Sequence, residues 1–129
     1  MSELATLSLD RIPGIALATL SGEVDYSNAE NLRDRIARWV TNEDAVVVLD
    51  CTELAYTDSA GLNLVFDLWA RLREHGQAFG VVVPADSQPR RTFDIVGLKE
   101  RLPVLETVAE AAAWFAGGSG PPHDGEQDQ

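Results

Sequence analysis

The sequence predicts a single α/β domain in which a mixed, mostly parallel sheet of about five strands is covered by about four helices. Short apolar runs of strand length alternate along the chain with longer segments of helical period. The 129 residues are 45% hydrophobic and 24% charged, which is typical of one soluble domain with its own core. The expected order of elements is ββαβαβαβα.

Two strands, a helix and a central strand are predicted in the N-terminal half. Residues 4–21 contain two strand-like segments, which a Pro-Gly turn pair at 13–14 separates. Ser27 and Glu30 stand at the spacing of a capping box, so we expect the first helix to begin at Ser27. Residues 45–49 are apolar throughout, as a strand buried on both faces would be.

A helix and a strand follow in the middle of the chain. Residues 59–75 carry apolar side chains at helical period, and Gly76 is a typical C-terminal stop. Residues 79–83 are apolar and predict another buried strand. Asp86 or Ser87 is expected to cap a short third helix.

The C-terminal region predicts a short strand, a last helix and a tail. Residues 104–105 form the strand, and Thr107 and Glu110 repeat the capping-box spacing. Residues 1–116 therefore make up the domain. Residues 117–129 are rich in glycine, proline and acids without apolar residues, so we expect a disordered acidic tail.

Charge and cysteine content limit the classes of partner. The chain has 21 acidic residues against 10 basic ones, a net charge of -11, so phosphate backbones and anionic membranes are repelled. We therefore expect protein partners, and neither nucleic acid nor membrane. A single cysteine, Cys51, lies in an apolar run and cannot form an internal disulfide. This favours a reducing, cytoplasmic compartment.

The sequence lacks the combinations of residues that common catalytic sites need. The only histidines are His75 and His123, and neither is near Ser59 in the sequence, so a serine nucleophile would lack a base. Together with Cys51 these scattered residues do not make a zinc site. We expect no catalytic residues, no metal and no cofactor.

One candidate functional segment is the predicted loop from Asp50 to Leu62, which enters the second helix. Asp58 or Ser59 is explained as an ordinary N-cap, because both residue types are favoured there. A functional interpretation is also open. A hydroxyl at a helix N-terminus lies beside free N–H groups and the positive end of the helix dipole, where a phosphate would be stabilised.

A second candidate is the segment Gly22-Glu23-Val24-Asp25 at the end of the second strand. It is explained either as a turn that leads into the first helix, or as two carboxylates offered to basic groups of a partner. The residue types alone favour the turn.

Three segments, in this order and spacing, resemble the STAS domain family, and within it especially the anti-sigma factor antagonists. They are Gly22-Glu23-Val24-Asp25, Asp58-Ser59-Ala60-Gly61-Leu62 and Phe93-Asp94-Ile95-Val96-Gly97-Leu98. The resemblance covers roughly residues 4–116. It implies the STAS fold and a role in binding and regulation rather than catalysis.

In that family an anti-sigma factor, itself a serine kinase, phosphorylates the serine that follows the aspartate. The resemblance therefore implies that Ser59 is phosphorylated and that Asp25 lies in the loop facing the kinase. The family often has a second hydroxyl where this chain has Ala60. The implied partner-binding residues are Asp25, Thr57, Asp58, Ser59, Ala60, Gly61 and Leu62.

The implied partners are an anti-sigma factor serine kinase and a serine phosphatase, and we expect the domain alone to be monomeric. The implied function is partner switching, in which the chain binds the anti-sigma factor until Ser59 is phosphorylated. An alternative is an accessory subunit of a lipid or anion transporter that phosphorylation does not regulate. A small hydrolase or phosphotransferase using Ser59 is disfavoured by the missing histidine.

Overall fold

The predicted order of strands and helices is confirmed by the computed structural model, which describes residues 4–117. The elements are β1 (Ala5–Ile12), β2 (Ile15–Val24), α1 (Ala29–Trp39), β3 (Val46–Thr57), α2 (Ser59–Glu74), β4 (Ala78–Val82), α3 (Gln88–Ile95), β5 (Val104–Leu105) and α4 (Val108–Ala116). A short 3-10 turn at Leu98–Glu100 lies between α3 and β5.

The five strands form one sheet in the order β1-β2-β3-β4-β5. β1 and β2 make an antiparallel hairpin, and all later neighbours pair in parallel. The expected mixed, mostly parallel sheet is therefore confirmed. Because the parallel strands run the same way, the loops that follow β2 and β3 meet at one edge of the sheet.

Helices cover both faces of the sheet unequally. Val47 and Leu49 of β3 belong to the main core cluster, which contains the buried residues of α1 and α2 and also Phe93 of α3. Val48 points the other way and packs with Ala111 of α4 in a smaller cluster. This alternation explains why the central strand is apolar at every position between 46 and 49.

Helix α1 begins at Ala29, two residues after the expected start. The capping box at Ser27 is wrong because the Ser27 hydroxyl is engaged elsewhere: it donates to the Asp25 carboxylate at 2.5 Å. Asn28 occupies the cap position without a side-chain cap hydrogen bond. The Asp25 carbonyl accepts from the amides of Asn28 and Ala29 and closes the turn instead.

Strand β3 is longer than the sequence pattern indicates. The segment expected to be a loop from Asp50 onwards stays in the strand as far as Thr57. Its pairing with β4 ends at Asp50, but its pairing with β2 continues to the Val24–Thr57 pair. Because side chains such as Glu53 and Tyr56 are exposed, a search for apolar runs does not detect this extension of the strand.

The other predicted boundaries agree well with the structure. Ser87 caps α3 and Thr107 caps α4, each accepting from the amide three residues on. Gly117, the first residue of the predicted tail, follows α4 as its cap residue. The rest of that predicted tail, residues 118–129, lies outside the described residues.

An ion pair at the far end of the sheet gives the first testable prediction. Arg11 donates to both oxygens of Asp44 at 2.8 Å, and the Thr41 amide donates to the same carboxylate. The hydrogen bonds from Arg11, ahead of those from Thr41, lower the pKa of Asp44 to about 2 from the usual 3.8. The Asp44 side chain is only 10% exposed but that of Arg11 is 45% exposed, so solvent screens the ion pair in part.

Replacing Asp44 with Asn is expected to lower the free energy of unfolding by about 2 kcal/mol at neutral pH. Since the pKa of Asp44 is lowered on folding, this contribution is complete above pH 3.8 and is lost as the pH falls through about 2. Urea unfolding of both proteins between pH 7 and pH 2 measures the difference. The more exposed Asp34→Asn is the control, with an expected loss below about 1 kcal/mol. A difference that is independent of pH would contradict this role of Asp44.

Candidate functional site

The site lies where β2 and β3 end side by side. Val24 and Thr57, the last residues of these strands, are partners in the sheet register. The Thr57 hydroxyl also donates to the Val24 carbonyl at 3.1 Å. Asp25 and Asp58, which come directly after this pair, therefore lie at the same edge. The two segments singled out in the sequence are thus brought together by the fold.

Helix α2 begins at this edge and presents Ser59 to solvent. Asp58 is the N-cap: its carboxylate accepts from the Ala60 amide at 2.9 Å, and its carbonyl accepts from the amide of Gly61. Of the two alternatives for the cap, the structure selects Asp58. Ser59 is the first helical residue and is exposed. Its hydroxyl is therefore placed at the positive end of the helix dipole, where a phosphate is stabilised.

The residues implied to bind a partner divide into an accessible and a buried group. Asp58 and Ala60 are partly exposed beside Ser59. Thr57 is 1% exposed, and Gly61 and Leu62 are buried under the first turn of α2. These three residues are packed where the first turn of α2 meets the strand end. Their part in binding a partner stays a prediction.

Gly61 is needed for this close packing of helix on strand. A Cβ atom at position 61 would lie 1.8 Å from the Thr57 Oγ1. No side chain fits at that distance unless Thr57 or the helix moves. The glycine therefore lets the first turn of α2 sit directly on the end of β3.

Asp25 is held in its ionised form. Its carboxylate accepts from the hydroxyl and the amide of Ser27, and these hydrogen bonds lower its pKa. The Asn28 side chain braces the same turn, accepting from the Asp25 amide and donating to the Glu23 carbonyl. The turn and the functional interpretation of this segment are therefore compatible, because the turn holds a carboxylate at the rim of the site.

Two exposed tyrosines adjoin the ends of β2 and β3, and a groove runs beside the start of α2; the sequence reasoning missed all three. Tyr26 is 87% exposed and Tyr56 is 41% exposed. The groove, of about 390 Å³, runs between α1 and α2. Its lining residues are Tyr26, Ala29, Glu30, Arg33, Ala60, Asn63, Leu64 and Asp67. An aromatic residue between Asp25 and Ser27 is a signal that could have pointed to this surface.

Among the described residues, the one histidine lies far from Ser59. His75 is the residue that ends α2, and a helix of 16 residues puts it roughly 24 Å from Ser59. Within residues 4–117, no group of three metal-ligating side chains is close enough to hold an ion. Over the same range, none of the helices has the length and apolar character that crossing a bilayer requires.

The cap assignment predicts different stabilities for two neighbouring variants. Asp58→Ala is expected to lower the free energy of unfolding by about 1 kcal/mol, because the Ala60 amide loses its acceptor. Ser59→Ala, at an exposed first-turn position, is expected to change it by less than about 0.5 kcal/mol. Urea denaturation followed by circular dichroism measures both. Equal losses, or a larger loss for Ser59→Ala, would show that Ser59 is the cap.

Comparisons with known proteins agree with this architecture. The STAS domain model matches residues 6–111. The chain is 37% identical over 111 residues to the putative anti-sigma factor antagonist BtrV of Bordetella bronchiseptica, across 84% of this chain and 93% of that protein. The crystal structure of an anti-sigma factor antagonist from Mycobacterium paratuberculosis superposes with a TM-score of 0.76 at 25% identity, covering 84% of this chain and 92% of that one.

A third relative is of another kind. The probable sulfate transporter 3.4 of Arabidopsis thaliana is 28% identical over 126 residues, across 84% of this chain but only 19% of the transporter. The STAS model matches most of the described residues. Together with the sheet order and the site geometry, this match assigns the chain to a family. The protein belongs to the STAS domain family, among relatives that include anti-sigma factor antagonists.

Proposed function

We propose that this chain is an anti-sigma factor antagonist that binds an anti-sigma factor serine kinase and is released when Ser59 is phosphorylated. The observation that carries the proposal is the exposed Ser59 on the first turn of α2, at the same edge of the sheet as the ionised Asp25. The names of the antagonist relatives support the same role. The chain is then a binder and a substrate, and the ATP and Mg²⁺ belong to the kinase.

Transfer of the phosphoryl group from ATP to Ser59 forms one bond to phosphorus and breaks another. The Ser59 Oγ attacks the γ-phosphorus of ATP held by the kinase, and the bond from that phosphorus to ADP breaks. The hydroxyl proton passes to a base of the kinase, and ADP leaves. A serine phosphatase later hydrolyses the phosphoserine and restores the binding form.

The added charge is large enough to separate the partners. A useful switch needs about a 100-fold change in affinity, which corresponds to ~2.8 kcal/mol. Phosphorylation adds ~1.5 to 2 negative charges. Against a partner carboxylate at ~4 Å, with an effective dielectric constant near 20, each charge costs ~4 kcal/mol. The domain therefore does not need to refold for release.

The buried position of Thr57 makes Ser59 the better acceptor of the two neighbouring hydroxyls. Thr57 is 1% exposed and its hydroxyl is hydrogen-bonded to Val24, so a kinase would have to open the strand end to reach it. Ser59 needs no such opening, because its side chain is already outside the sheet.

The test is incubation with each anti-sigma factor kinase encoded in the same genome, with ATP and Mg²⁺, followed by intact mass and peptide mapping. We expect the gain of one phosphate, on the peptide containing Ser59, and release of the complex on a sizing column. Stable binding without a mass change would overturn the switch. Phosphate on Ser27 instead of Ser59 would overturn the assignment of the residue.

A second candidate is an accessory role beside a lipid or anion transporter. It is favoured by the relation to the plant sulfate transporter. On this candidate Ser59 contacts the transporter and stays unmodified. The same mass measurement separates the two candidates, because only the antagonist gains a phosphate.

A further inference from the structure

Beside the site, a glutamine side chain makes the hydrogen bonds to the end of β3 that a neighbouring strand would otherwise make. The pairing of β3 with β4 ends at Asp50, seven residues before β3 ends at Thr57, and α3 lies along that side instead. The first residue of α3, Gln88, pairs with Thr57 through its side-chain amide. The Thr57 amide donates to Gln88 Oε1 at 2.9 Å, and Gln88 Nε2 donates to the Thr57 carbonyl at 2.9 Å. This pair of bonds is the one that a neighbouring strand would supply.

Thr57 is consequently held from three directions. Its hydroxyl is bonded to Val24 of β2, the backbone of Gly61 packs on its side chain, and Gln88 holds its backbone amide and carbonyl. The Gln88 amide is itself oriented by Thr92, one helical turn along α3, to which it donates at 3.0 Å.

Only Asp58 separates the fixed backbone of Thr57 from Ser59. A residue has two soft backbone dihedrals, so few rotations remain that could move the Ser59 hydroxyl relative to the strand end. Those of Asp58 are limited further, because its carboxylate and carbonyl both bond to the first turn of α2. The position of the acceptor hydroxyl is therefore set partly by a side chain on a different helix.

We propose that Gln88 is a positioning residue for the phosphorylation of Ser59; this inference rests on the proposed function. Phosphoryl transfer requires the attacking oxygen to be roughly in line with the bond that breaks, and its catalysis rests on such positioning together with electrostatic stabilisation. A misplacement of about 1 Å can cost as much as ~10²-fold in rate. Loosening the Thr57 backbone raises the number of arrangements in which Ser59 is out of line.

The test compares Gln88→Met with Gln77→Met, using the kinase that phosphorylates the wild-type chain. Gln77 is a matched control, because its side chain likewise makes two hydrogen bonds to backbone groups: it donates to the carbonyls of Thr41 and Asp44, at the opposite end of the sheet. For Gln88→Met we expect kcat for phosphorylation to fall about tenfold, while KM for the antagonist changes less than about twofold. For Gln77→Met we expect an unchanged kcat.

The split between kcat and KM distinguishes positioning from mere stability. A variant that is only partly unfolded supplies less substrate, so its apparent KM rises while kcat at saturation is unchanged. Hydrogen exchange adds a readout that needs no kinase: Gln88→Met should speed exchange of the Thr57 amide about tenfold or more, and Gln77→Met should not change it.

Two results would overturn the inference. One is a kcat for Gln88→Met equal to that of the wild type, and the other is a fall in kcat of the same size for Gln77→Met. Failure of the proposed function looks different, since the wild-type chain itself would then gain no phosphate from any of the kinases.

Discussion

Ser59→Ala is expected to bind the anti-sigma factor kinase as the parent chain does and to gain no phosphate, so that ATP no longer releases it. Loss of the hydroxyl removes the acceptor of the phosphoryl group, while Asp58 keeps capping α2. Phosphorylation should fall below detection. The dissociation constant without ATP should change less than about threefold, which is less than 1 kcal/mol. Intact mass and a binding titration, each with and without ATP, measure the two effects.

Ser27→Ala is the matched control for this experiment. Ser27 is also exposed at the same edge of the sheet, but its hydroxyl is bonded to Asp25. We expect this variant still to gain one phosphate on Ser59, since the Ser27 hydroxyl holds Asp25 and is not the acceptor. Phosphorylation of Ser59→Ala at the wild-type rate would refute Ser59 as the acceptor. Loss of binding by a folded Ser59→Ala would show that the hydroxyl contributes to docking itself.

Gly61→Ala is expected to lower the free energy of unfolding by about 3 kcal/mol. The new methyl group would lie 1.8 Å from the Thr57 Oγ1, so Thr57 must turn away or the helix must shift. Such overpacking costs about 1–3 kcal/mol, and loss of the bond to the Val24 carbonyl adds about 1–3 kcal/mol. The better helix propensity of alanine returns only about 1 kcal/mol. Urea unfolding measures the net loss.

A double variant tests whether this contact is the cause. Thr57→Ala removes the oxygen that the new methyl group would meet, so Gly61→Ala should cost at least about 1 kcal/mol less in the presence of Thr57→Ala than alone. Asn63→Ala, an exposed position in the same helix, is the control and should change the free energy of unfolding by less than about 0.5 kcal/mol. Additive losses would show that the contact between the new methyl group and the Thr57 Oγ1 is not the cause of the loss in stability.

Much of the fold follows from signals that act within a few residues. The caps at Ser87 and Thr107 accept from amides three residues on, and the buried strand at residues 46–49 is apolar at every position. Such features are visible in a linear sequence, because the interacting groups are neighbours in it. The start of α1 shows the limit of this reasoning, since Ser27 and Glu30 have the right spacing but the Ser27 hydroxyl bonds to Asp25.

The sequence does not predict the end of β3 correctly, for a different reason. In residues 52–57 only Leu54 and Thr57 are buried and the others are exposed, so no apolar run marks the segment as strand. They are extended because β2 pairs with them up to Val24 and because α3 covers their other side. The burial of Thr57 follows from the same packing, and so does the division of the implied binding residues into an exposed and a buried group.

The sequence by itself determined the class of fold, the order of its elements, and the serine at the start of the second helix as the residue of interest. Only the tertiary structure decided that this serine is exposed while Thr57 is buried, that Asp25 and Asp58 lie at the same edge of the sheet, and that Gln88 holds the strand end 31 residues away. The physical reason is the separation along the chain of the residues that interact. Periodicity and caps depend on neighbours along the chain, whereas exposure and hydrogen bonds between distant segments depend on how strands and helices pack.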